Sequence, residues 1–103
     1  MNTIALSPTE LKTVQDILNA LVPNQLVWAF GSRVTGTHKP WSDLDLAIIT
    51  HEPLSLDTQT ALENAFADSD LPFKVDVVDW ATTNGAFRDI IQKQKKIIQS
   101  INT

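Results

Sequence analysis

Three short apolar runs, LVWAF (26–30), DLDLAIIT (43–50) and FKVDVVDW (73–80), alternate along the chain with segments of helical periodicity. Each run is too short to be a helix on its own and rich in strand formers, so each reads as a strand. SPTELKTVQDILNALVP reads as the first helix. Ser7 is its N-cap, Pro8 its first residue and Glu10 the capping-box partner, and Pro23 and Asn24 end it. A second helix is expected over SLDTQTALENAFADSD, capped by Ser55. A last one is expected from about Gly85 to Ile101, with Phe87, Ile90, Ile91, Ile97, Ile98 and Ile101 at helical spacing. The order helix, strand, short turn, strand, helix, strand, helix predicts an α/β domain, a small sheet covered by helices. At 103 residues the chain suits one domain over 1–103.

Charge and cysteine content exclude several functions. The net charge of −4 argues against unaided grip on long nucleic acid, which needs a basic surface. Lys93, Lys95 and Lys96 read as a solvated helix face. Without cysteine there is no disulfide, thiolate–zinc site or thiol catalysis. No apolar run approaches the ~18 residues of a membrane span, and the first residues lack a basic start followed by an apolar block. A cytoplasmic protein is expected.

Two features carry chemistry. Gly31 and Ser32 follow the first apolar run directly. Such a pair is either a tight turn or an anion site, in which Gly31 permits close approach, Ser32 adds a hydroxyl and Arg33 a charge. Further on, Asp43 and Asp45 stand two apart at the start of a strand, where alternation turns both to one side while Leu44 and Leu46 face the core. They are either a solvated turn and strand start or a paired-oxygen site for a hard divalent cation. Asp76 lies mid-strand between Val75 and Val77, which is costly for a charge unless it is exposed on an edge, paired or metal-bound. Asp79 competes with it but faces the opposite way. His38 and His51 read as loop histidines, Trp28 and Trp80 as core, and Trp41 as a loop aromatic.

Taken together, AFGSRVTG, SDLDLAII and VDVVDW resemble, in order and spacing, the signature of the polymerase-beta-like nucleotidyltransferases. Within these the chain is similar to the minimal members that act with a separate helical protein. The resemblance implies that Gly31, Ser32 and Arg33 bind the nucleotide and that Asp43, Asp45 and Asp76 are catalytic and ligate two Mg2+ ions. It further implies transfer of AMP from ATP to a hydroxyl, and a helical partner, either a HEPN-type toxin or a substrate-binding subunit. The alternative is a binding module that neutralises its partner by contact without catalysis.

Overall fold

The computed structural model describes residues 4–101. Its elements are α1 (Pro8–Leu21), β1 (Leu26–Phe30), α2 (Ser32–Thr35), β2 (Leu44–Ile49), α3 (Leu56–Ala67), β3 (Val75–Asp79), a 3₁₀ turn (Trp80–Thr82), α4 (Gly85–Gln94) and β4 (Lys96–Gln99). The strands form one mixed sheet in the order β3-β2-β1-β4. β1 is antiparallel to both β2 and β4, and β2 runs parallel to β3. No helix among the described residues is long and apolar enough to cross a membrane.

The helix starts follow from local chemistry. The Ser7 hydroxyl accepts from the Glu10 amide at 3.1 Å, and the Glu10 carboxylate accepts from the Ser7 amide at 2.9 Å. Both ends of the expected capping box are therefore made. Ser55 caps α3 in the same way through the Thr58 amide.

Strand alternation divides the apolar residues between two layers. Leu44, Leu46 and Ile48 of β2 are fully buried. They pack with Val27 and Ala29 of β1 and with Val14, Leu18, Leu62 and Phe66 of α1 and α3. The opposite face carries Trp28, Phe30 and Ala47 beneath Ile91 of α4. Two edge-to-face pairs close this second layer, Trp28 with Trp80 at 5.3 Å and Phe30 with Phe87 at 5.6 Å. The helices thus cover both faces of the sheet, α1 and α3 on one side and α4 on the other.

One element differs from the expectation. The last helix stops at Gln94 instead of running to Ile101, and Lys95 turns to φ −50°, ψ 144°. The chain then extends as β4 and pairs with β1 at Trp28–Ile97 and Ala29–Lys96. The sequence KKIIQ satisfies either period over so short a run, and the unpaired edge of β1 decides between them. Ile98 is 4% exposed and Ile97 59% exposed, the alternation of a strand. Ile98→Ala should therefore cost about 2–4 kcal/mol in urea unfolding, and Ile97→Ala no more than about 0.5 kcal/mol. Equal losses at the two positions would contradict a strand here.

Candidate active site

The register places Phe30 of β1 opposite Asp45 of β2, and Asp45 beside Asp76 of β3. The three residues form one row across the sheet. Because Leu44 and Leu46 are locked into the core beneath α1 and α3, Asp45 must emerge on the α4 side. The same parity brings out Asp76, flanked by Val75 and Val77, which pack against that core. β3 is an edge strand. The Asp76 side chain is 44% exposed and lies 3.4 Å from the Lys74 ammonium, itself 72% exposed, so this pair contributes little to stability.

Asp45 has a different environment. Burial first, then the nearby Asp76 and Asp43 carboxylates, push its pKa up to about 6 from the ordinary 3.8. Asp43 lies one residue ahead of β2, so strict alternation does not fix its direction. Among the described residues no three His, Cys, Asp or Glu side chains gather into one ion-sized cluster. Of the three expected carboxylates, Asp45 and Asp76 lie side by side in the register, and Asp43 is near enough to Asp45 to help raise its pKa.

Gly31 follows the row directly. It adopts φ 81°, ψ −161°, a conformation that L side chains rarely take. A Cβ there would also collide with the Asp45 carboxylate. Glycine is therefore required twice over, once by the backbone and once by the acid below it. α2 begins at the next residue. Its first internal bonds run from the Val34 and Thr35 amides to the Gly31 carbonyl at 3.0 Å, so the amides of Ser32 and Arg33 lie ahead of any acceptor within the turn. Gly31, Asp45, Asp76, Phe87, Ile90 and Gln94 line an open cleft of about 540 Å³. A larger apolar groove of about 690 Å³ lies between α1 and β4, with no carboxylate in its lining.

Arg33 departs from the expectation that it adds charge to an anion site. Its side chain is 6% exposed. It donates to the carbonyls of Ser42 at 2.9 Å, Ala5 at 2.8 Å and Pro40 at 3.1 Å, and the guanidinium lies 4.1 Å over the Phe73 ring. All of that serves the 37–42 loop and the segment before α1. Only the Arg33 backbone amide is left to the turn.

Asp79 is likewise occupied. It accepts from the Thr50 hydroxyl, from the Leu54 amide at 2.7 Å and from the Ala81 amide at 3.3 Å, on the face away from Asp76. His38, Trp41 and His51 are exposed, away from the cleft lining. Sequence reasoning missed Gln94, whose side-chain oxygen accepts from the Gly31 amide at 2.9 Å. A glutamine 63 positions further along carries no local signal of that contact.

Residues 12–103 match the family model described as polymerase beta, nucleotidyltransferase. The chain belongs to that family. This nucleotidyltransferase is 56% identical over 90 residues to a Haemophilus influenzae protein described as "Probable protein adenylyltransferase MntA", covering 87% of the present chain and 79% of that one. It superposes with a TM-score of 0.73 on a chain from a crystal structure of a toxin–antitoxin with AMP-PNP, at 26% identity, covering 89% of this chain and 74% of that one. A chain from a complex of tri-AMPylated Shewanella oneidensis HEPN toxin with MNT antitoxin shares the fold, with a TM-score of 0.67 at 23% identity and coverage of 87% and 69%.

Two outcomes follow from the geometry. Arg33→Met removes the charged donor from three carbonyls and should cost about 3 kcal/mol in denaturant unfolding, with Arg33→Lys recovering only part of it. Because the folded pKa of Asp45 lies above its ordinary value, the folded state holds the extra proton between about pH 4 and 6. Stability in EDTA should therefore fall as pH rises through that window. Asp45→Asn should melt higher than the parent above pH 6, by about 1 kcal/mol after allowing for the partial exposure of the carboxylate. The two proteins should converge near pH 4. A parent that gains stability from pH 4 to 7 would contradict this assignment.

Proposed function

We propose that this nucleotidyltransferase moves AMP from ATP to a hydroxyl on a helical, HEPN-type partner protein. The observation that carries the reading is the Asp45–Asp76 pair lying in register beside a glycine turn whose Cβ space the Asp45 carboxylate fills. The 56% identity to a protein described as an adenylyltransferase supports the AMP unit and ATP as its source. The likeness to a chain of a toxin–antitoxin with AMP-PNP supports the same nucleotide and a partner of the toxin class. Use of ATP is in keeping with the expected cytoplasmic setting.

The donor set suits Mg2+. Asp43, Asp45 and Asp76 offer only hard oxygens, and the proton affinity of Asp45, raised by burial first and then by the Asp76 and Asp43 carboxylates, is what a divalent cation would offset. These three side chains would hold the metal. When bound, Mg2+ offsets charge on the phosphates and acidifies the attacking hydroxyl.

The remaining steps belong to the chain itself. Gly31 lets the phosphates approach the backbone, and the amides of Ser32 and Arg33 with the Ser32 hydroxyl hold them. Asp76, half-exposed at the sheet edge, is the carboxylate within reach of an acceptor presented by another protein. It takes the hydroxyl proton as the oxygen attacks the α-phosphorus. The bond from the α-phosphorus to the bridging oxygen breaks, and pyrophosphate leaves.

The test is incubation of the chain and its partner with Mg2+ and ATP labelled at the α- or the γ-phosphate. Label should pass from α and not from γ. Asp45→Asn and Asp76→Asn should each lower transfer by ~10²-fold or more. Partner control that survives both substitutions intact would favour neutralisation by contact, and transfer of the γ label would overturn the reaction assigned here.

A further inference from the structure

The Gly31 amide lies past the end of the β1 ladder. The last pair of β1 with β2 is Phe30–Asp45, and the last with β4 is Ala29–Lys96. Among the described residues no strand pairing extends to that N–H. The oxygen of Gln94 takes it instead, at 2.9 Å. The assignment of oxygen over nitrogen is chemical, since only the carbonyl end of the amide can accept from an N–H.

Gln94 is not delivered from a loose loop. It is the last residue of α4, which is anchored by the fully buried Ile91 and by Phe87 against Phe30. Two residues later Lys96 pairs with Ala29. The corner between α4 and β4 is thus tied to Gly31 and to Ala29 just before it.

This contact answers a problem that the site creates for itself. Asp45 fills the space of a side chain at residue 31, so only glycine fits. Glycine, however, is the residue least able to hold its own dihedrals. A turn meant to aim the Ser32 and Arg33 amides at one point needs that freedom removed.

We propose that Gln94 is a positioning residue of the nucleotide site: its side-chain carbonyl clamps the Gly31 peptide and thereby aims the turn amides that hold the phosphates. The proposal rests on the nucleotide reading given above. Gln94 acts through Gly31 and has no chemical role in transfer.

The experiment uses the full chain labelled with 15N, ATP with Mg2+ as the probe, and the variants Gln94→Met and Gln94→Glu. Methionine keeps length and bulk but removes the acceptor; glutamate keeps the acceptor. In Gln94→Met the Gly31 amide should exchange with solvent at least about tenfold faster, while the amides of β1 and β2 keep their protection. ATP should bind about tenfold more weakly. In Gln94→Glu the Gly31 amide should stay protected, which decides the matter if the methionine variant does not fold. Unchanged or tighter ATP binding by Gln94→Met would overturn the proposal, as would loss of Gly31 protection in Gln94→Glu. A parent chain that binds no ATP would bring down the nucleotide reading itself and the proposal with it. A parent that binds, with a variant that binds equally well, brings down the proposal alone.

Discussion

The parallel register of β2 on β3 is the constraint from which the rest of the site follows. It sets Asp45 beside Asp76, two like charges on neighbouring strands, one of them partly buried. A fold would ordinarily avoid that arrangement, since opposed like charges weaken a sheet. Here it is enforced from the other face. Leu44, Leu46 and Ile48 have no exposure at all, and slipping β2 by one residue to separate the acids would turn all three toward α4 and Asp45 into the core. The hydrophobic layer beneath α1 and α3 thus holds an electrostatically unfavourable pair in place, a cost expected where charge is kept for binding or chemistry.

The turn after β1 shows the same division of labour. Gly31 yields its side-chain space to Asp45. Arg33 turns its guanidinium away from the cleft and binds three carbonyls of the neighbouring segments. A buried cation is costly unless its donors are satisfied, and the planar fork of arginine can serve several carbonyls at once. One residue of the turn therefore makes room for the acid, while another holds the loop that leads to it.

Much of this was legible in the sequence because the signals are local. Ser7 and Glu10 announce the start of α1, and the alternation of Leu44, Asp45 and Leu46 announces both the core face and the acidic face of β2. Asp76 and Asp79 could be assigned to opposite sides by counting along β3. What was not legible depends on distant partners. KKIIQ becomes a strand because β1 has an open edge to pair with, and no window of sequence around residue 97 records that. The inward turn of Arg33 depends on the carbonyls of Ala5, Pro40 and Ser42, and on Phe73 below it. The direction of Asp43 was not legible because it stands one residue outside the strand, where parity no longer constrains it. Gln94 meets Gly31 only because α4 returns over the sheet.

The central claim is that the carboxylates beside Gly31 are held close together, ready for a divalent cation. The most direct measurement is the titration of the Asp45 carboxyl carbon by NMR, first in EDTA and then in saturating Mg2+ with a non-hydrolysable ATP analogue. The account predicts a midpoint of about 6 without metal and a clear downward displacement with it, as positive charge replaces the proton. An ordinary carboxylate midpoint in EDTA, or a raised one that Mg2+ leaves unmoved, would contradict it.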